Sequence, residues 1–390
     1  MSWEYKTLDQ LGEVSRGRSK HRPRNDPSLF GGKYPFIQTA DVKTANFYIT
    51  EYDTTYNEKG LAQSRLWNPG TLCITIAANI ADTGILAMDA CFPDSVMGFL
   101  PYEGIADVRF VKYCFDILQQ NCKKISQGAA QDNLSWEKLS TILFPAPPIE
   151  VQTKIADILF TYDNLIENNK KQIKLLEEAA QRLYKEWFVD RRFPGHETTP
   201  IVDGVPEGWK EQSLYQIADV VMGQSPKSEY YNQVGEGLPF HQGVGSYGNR
   251  FVSDETYSTS FTRIAEAGSI LFSVRAPVGR LNLTKNKVVI GRGLAAINHR
   301  RGAQSYLFYL LKEKFFRDDI IGNGSIFASI SKEELLNQTF LIPIDSLVEQ
   351  FNGIAGGIDK KIDILSGQIR LLTEARNRLL PKLMSGELEV

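Results

Sequence analysis

The stretch WEYKTLDQLGEVSRGRS, residues 3–19, decides the fold, because it returns as WKEQSLYQIADVVMGQS at residues 209–225. Trp3, Leu8, Leu11, Val14, Gly17 and Ser19 meet Trp209, Leu214, Ile217, Val220, Gly223 and Ser225, each 206 positions further on. More matches follow in the same order. YPFIQ at 34–38 returns as LPFHQ at 238–242, and PGTLCIT at 69–75 as AGSILFS at 267–273. Residues 128–139 parallel 324–335, with Asn133-Leu134-Ser135 against Ser329-Ile330-Ser331. Four matches in one order mark a tandem duplication. A chain of 390 residues is long for one domain, and two copies of a little under 200 residues account for it.

Each copy holds two kinds of sequence. The larger part alternates short β-rich runs, such as 72–77 and 270–274, with Gly, Pro and Asn turns. Helices are expected over 113–124 and its counterpart 306–316. The smaller part is periodic. Ile155, Leu159, Tyr162, Ile166, Ile173, Leu176, Ala180, Leu183 and Trp187 follow one another in steps of four and three, with Asn169 filling the gap. The second copy reads Phe351, Ala355, Ile358, Ile362, Leu365, Ile369, Leu372, Arg376, Leu379 and Leu383. Seams sustained over more than four heptads predict two helices of about 40 residues, roughly 60 Å each, packed on one another as an antiparallel coiled coil. Asn169 and Arg376 would set its register, and Pro381 is expected to kink or end the second helix. The fold expected is α+β: a globular domain over 1–148, a long helix over 149–190, a linker over 191–206, a second domain over 207–345 and a second helix over 346–390.

Composition narrows the function. Hydrophobic residues make up 42% and charged residues 23%, enough for real cores. Lys plus Arg (44) nearly cancels Asp plus Glu (46), which excludes a chain coated in positive charge but not a local basic patch. Cys73, Cys91, Cys114 and Cys122 form no CxxC pair, and His21, His196, His241 and His299 are scattered. A zinc site is therefore not expected, and buried free thiols in a reducing cytosol are. The polar N-terminus and the lack of a membrane-length apolar run point to a cytoplasmic protein without membrane contact. There is no Walker A sequence, no GxGxxG after a strand, no GxSxG elbow and no Asn/Asp-Pro-Pro-aromatic tetrapeptide. The acid-x-Lys triplets Glu4/Lys6, Asp41/Lys43 and Asp359/Lys361 have no suitably placed Pro-Asp. Asp359 and Lys361 are expected on a solvated helix face. No enzyme is expected.

What remains points to nucleic acid. Arg16, Arg18, Lys20, Arg22 and Arg24, with His21, fall within nine residues that contain no acid, and Gly17 and Pro23 make the stretch a loop. Cationic loops neutralise phosphates and can present an Arg fork to a guanine edge. Ser19 belongs to the same loop. In the second copy the matching stretch, with Gln224, Ser225 and Lys227, is polar rather than basic. Positive charge there is expected from Arg275, Arg280, Arg292, Arg300 and Arg301. Gln38 with Thr39, and Gln242, hold matching places after Pro-Phe. Gln127, Gln131 and Asn133 in one copy, and Asn323 in the other, sit in polar Gly loops whose amides can pair bidentately with adenine.

These features together resemble the DNA-specificity subunit of a type I restriction-modification system. The resemblance is carried by the two copies of Trp-x4-Leu-x2-Leu/Ile-x2-Val-x2-Gly-x-Ser and by residues 127–135. The helix lead-ins Pro147-Pro148-Ile149 and Ile342-Pro343-Ile344 add to it, as does the ending LPKLMSGEL at 380–388. It implies two target-recognition domains, each reading one half of a bipartite, asymmetric double-stranded DNA site. It also implies that the helix pair sets the spacer and docks two methyltransferase (modification) subunits, with motor-nuclease restriction subunits in the full complex. S-adenosylmethionine and ATP/Mg would belong to those partners, and this chain would hold no cofactor. Two other readings stand beside it: a duplicated coiled-coil adaptor that binds only proteins and, with less support, a methyltransferase or nuclease.

Overall fold

The structure, a computed structural model, describes residues 3–76, 81–125, 136–315 and 329–390. It divides into two compact units, Met1–Gln172 with Leu365–Val390, and Ile173–Ile364. The sequence blocks therefore do not coincide with the units, since each unit combines a globular part with a portion of both long helices.

In the first unit a five-stranded sheet runs in the order Gly12–Arg16, Val96–Pro101, Leu72–Thr75, Thr83–Leu86, Tyr48–Ile49. All its pairings are antiparallel except the last. Leu72–Thr75 and Thr83–Leu86 are buried at every residue, which is why they read as continuous apolar runs rather than as alternation. One core joins the sheet to helix Val108–Ile125 through Phe110, Val111 and Phe115, and to Ile155, Leu159, Leu380 and Leu383 of the long helices. A second core packs Ile37, Ile49, Cys73 and Phe92 around Trp67, whose ring stacks on Phe92 at 4.8 Å. Cys73, Cys91 and Cys114 are buried free thiols, and burial pushes each one up in pKa.

The second unit repeats the plan. Its four-stranded sheet runs Ala218–Met222, Leu294–His299, Ile270–Ser273, Leu281–Leu283, beside a five-stranded sheet that includes Leu238–His241 and Val288–Ile290. Helix Gln304–Phe315 takes the place of Val108–Ile125, and its core draws in Ala180, Tyr184, Trp187, Phe351 and Ala355 of the long helices. The stretch expected as a linker is ordered structure. Phe193 is buried against Trp209 at 5.4 Å, and Ile201–Val202 forms a hairpin with Val205–Pro206.

The long helices span Ile149–Tyr184, continued by a π-helical turn over Lys185–Val189, and Asp345–Met384. Pro381 lies inside the second helix, three residues before its end, so the helix carries on through it for a last turn. All the seam residues are buried or half-buried, whereas Leu165, Leu175, Ile364 and Leu371, off the seam, are exposed. Within the first unit Asn169 Nδ2 donates to Gln368 Oε1 at 3.2 Å, and Arg376 pairs with Asp163. Numbers rise along one helix as they fall along the other, so the segments run antiparallel there. Within the second unit, Tyr184 and Trp187 pack against Phe351 at 5.7 and 6.0 Å.

The duplication persists down to single hydrogen bonds. The Tyr113 hydroxyl donates to Asp163 Oδ2 at 2.7 Å, and Tyr309, at the matching place in the second copy, donates to Asp359 Oδ1 at 3.4 Å. Burial raises both phenols, Tyr309 to about 12. The sequence places Asp359 and Lys361 on a solvated face; Lys361 is exposed, but Asp359 is not. It is mostly covered and paired with the buried Arg250. The helical period alone could not reveal this, because Arg250 arrives from a distant loop.

Candidate nucleic-acid interface

The repeated Gly-x-Ser marks a close approach of two main chains. In the first unit Gly17 N–H donates to Val96 O at 2.8 Å, Arg18 N–H to Phe92 O at 3.0 Å, and Val96 N–H closes a turn on Pro93 O at 3.0 Å. In the second, Gly223 N–H donates to Leu294 O at 2.9 Å, Gln224 N–H to Ile290 O at 2.9 Å, and Leu294 N–H closes on Gly291 O at 3.0 Å. A Cβ on Gly17 would stand 2.3 Å from Pro93 O, and one on Gly223 would stand 2.1 Å from Gly291 O. Only glycine lets these strands meet. The residue at the tip of this shared turn is Asp94 in one unit and Arg292 in the other.

In the second unit the structure gathers Gln224, Ser225, Lys227, Gln242 and Arg292 around one open cavity of about 680 Å3. Ser225 Oγ accepts from the Arg292 backbone N–H at 3.2 Å, which fixes the turn beneath the guanidinium. Arg275 lies close by in the chain, since Val274 N–H donates to Gly293 O at 2.9 Å and Arg275 bridges to Ser329. Arg300 and Arg301 do not join them. They follow the far end of strand Leu294–His299 and pair with Asp219 and Asp345. Strand direction separates them from Arg292, which the sequence order concealed.

The basic loop of the first unit is less free than its composition suggests. Arg22 Nη1 donates to the Ser19 and His21 carbonyls at 2.7 and 2.8 Å, and Arg24 pairs with Asp94 at 2.8 Å. His21 N–H donates to Gln63 at 3.0 Å, the Ser64 hydroxyl to Arg18 O at 2.7 Å, and the His21 ring meets Asp26 at 2.7 Å. Asp26 is held at about 2, mainly by the Ser28 backbone N–H and then by the Ser28 and His21 side chains. Ser19 is buried. Arg16, Arg18 and Lys20 remain exposed, with no ion-pair partner among the described residues. Gln38 is exposed beside them, because Ile37 N–H donates to Cys91 O at 2.8 Å next to the bond made by Arg18. Thr39 opens the short helix Thr39–Thr44, with Gln38 N–H capped by Asp41 at 2.7 Å. Gln127, Gln131, Asn133 and Asn323 lie outside the described residues.

Sequence reasoning missed Asp94, Gln63, Ser64 and His241. His241 is buried, with Nδ1 2.8 Å from Ser246 Oγ and Nε2 3.1 Å from Asp254 Oδ1. An ionised carboxylate only accepts, so Nε2 carries the proton and Nδ1 accepts from the serine. Burial lowers the imidazole below its ordinary value, against the pull of Asp254. Among the described residues no group of three His, Cys, Asp or Glu side chains could hold a metal ion, and no helix is long and apolar enough to cross a membrane. The arrangement offers exposed cations and amides on rigid turns, a chemistry suited to phosphate oxygens and base edges.

Comparison with known proteins identifies the family. The family profile described as "Type I restriction modification DNA specificity domain" matches residues 1–178 and again 206–370. A Methanocaldococcus jannaschii chain described as "Putative type I restriction enzyme MjaX specificity subunit" is 33% identical over 268 residues, 67% of this chain and 62% of that relative. The MjaIX specificity subunit of the same organism is 26% identical over 409 aligned residues, covering 100% of this chain and 94% of its own. Among solved structures, the type I restriction-modification S subunit from M. genitalium superposes with a TM-score of 0.63 at 16% identity, covering 98% of this chain and 96% of its own. Two family matches fall on the two copies found in the sequence, and the chain belongs to the type I restriction-modification DNA specificity domain family.

Proposed function

We propose that this chain is the DNA-specificity subunit of a type I restriction-modification complex. Each globular part reads one half of a bipartite, asymmetric site. The two long helices form one antiparallel coiled coil that sets the spacer and docks two methyltransferase subunits. Motor-nuclease restriction subunits complete the assembly, and S-adenosylmethionine and ATP/Mg act in those partners rather than here. The observation that carries this reading is the shared main-chain turn, built from the same hydrogen bonds in both units but tipped by Asp94 in one and Arg292 in the other. A duplicated scaffold with divergent polar tips suits two different half-sites.

The test is DNA binding by the chain assembled with its methyltransferase partner. Changing Arg16, Arg18 and Lys20 together to Ala is expected to weaken binding and reduce the slope of log K against log salt by up to about 2.7, about 0.9 for each phosphate that is no longer neutralised. Arg22→Ala, which removes a guanidinium folded back on its own loop, is expected to leave the slope nearly unchanged. Retention of methyltransferase with no retention of DNA would instead favour the protein adaptor.

A further inference from the structure

Eight residues beyond the paired glutamines, both units return to the long helices. The register that matches Gln38 with Gln242 also matches Asn46 with Arg250. Asn46 Nδ2 donates to Glu167 Oε2 at 2.6 Å, and its Oδ1 accepts from Lys170 Nζ at 3.0 Å, both on the first long helix. In the second unit the buried Arg250 guanidinium pairs with Asp359 on the second long helix and lies 3.8 Å from Glu177 Oε1 on the first. It also stacks 4.0 Å over the Phe308 ring.

The segments in between are short and braced. Helix Thr39–Thr44 fills one of them. In the other, His241 is tied to Ser246 and Asp254, Asn282 Nδ2 donates to Gly248 O at 2.8 Å, and Leu283 N–H donates to Arg250 O at 2.9 Å. The side chains differ between the copies, but both land on the helices. Each copy has a polar landing residue eight positions after the glutamine, an amide in one and a guanidinium in the other.

We propose that Asn46 and Arg250 are positioning residues, each fixing the place along the helices from which its neighbouring glutamine reaches DNA. The proposal rests on the DNA-reading role given above. It assigns part of the spacer discrimination to these two struts rather than to helix length alone. One base pair is about 3.4 Å of duplex, so a slip of a few ångströms at a strut is enough to admit a wrong spacer.

The experiment maps modified bases in the genome of a host expressing the full chain with its methyltransferase partner. Wild type is compared with Asn46→Ala, which removes the contacts with both Glu167 and Lys170, and with Arg250→Lys, which keeps a cation but loses the fork. The half-site sequences are expected to stay the same. The ratio of modification at native-spacer sites to sites one base pair longer or shorter is expected to fall at least ten-fold. An unchanged ratio, including a uniform decline at every spacer, overturns the proposal. Because Asn46 is exposed, its variant decides the matter even if Arg250→Lys fails to fold. A wild-type host with no two-part modified motif overturns the DNA-reading role itself, and the proposal with it.

Discussion

Single residues show how charge is distributed in this protein. A composition of 44 basic against 46 acidic residues conceals a site where Arg16, Arg18 and Lys20 are exposed without an ion-pair partner among the described residues, while Arg22 and Arg24 are spent on the loop's own structure. Spacing along the chain revealed the cluster but not that division, because Asp94, the partner of Arg24, lies 70 positions away. His241 was invisible as a functional neighbour for the same reason, since Ser246 and Asp254 reach it only through a folded loop. Its burial makes a pH prediction. The folded protein keeps this ring neutral where an unfolded chain would take up a proton below the ordinary value of 6.5. Stability is therefore complete above about 6.5 and declines as pH falls toward the depressed value. Thermal unfolding between about pH 7.5 and 5.5 is expected to show Tm falling, with a shallower fall in His241→Gln. His299, also lowered by burial and by Arg301, retains its own share.

At the level of elements, the heptad steps predicted both long helices and the face each one buries, because a seam of this length has few other uses. They assign the polar seam residues to register but do not name their partners. Arg376 meets Asp163, itself held by the Tyr113 hydroxyl. Asn169 bonds Gln368, and a buried amide in a seam fixes register at a cost in stability. Asn169→Leu is accordingly expected to raise stability by about 1 kcal/mol and to show as a higher Tm. A lower Tm would mean that the amide pair is a net stabiliser. Strands were read less completely than helices. The apolar runs at 72–75 and 270–273 were legible, but two-residue strands such as Tyr48–Ile49 and Ile264–Ala265 carry too little pattern to stand out.

For the whole molecule, duplication was the most legible property, because matched residues in one order survive even where each match is weak. The division into units was not legible, since both helices cross the boundary and chain order does not say which segments pack together. The spacer role belongs to this scale. Removing one heptad from both helices shortens a coiled coil by about 10 Å, roughly three base pairs at about 3.4 Å each. A shortened chain that still folds is expected to modify sites whose spacer is about three base pairs shorter. Continued modification of the original spacer would show that the helices are not the ruler.

The turn that ends in Asp94 or Arg292 has an evolutionary consequence. Its shared framework is backbone hydrogen bonds with glycine clearing the way, and that framework accepts either tip: Asp94, which pairs with Arg24, or Arg292, which stands exposed. Such a position is an open letter in the protein's vocabulary. Its letter can change while the backbone bonds beneath it stay the same, and the two copies within this chain already spell it in opposite charges.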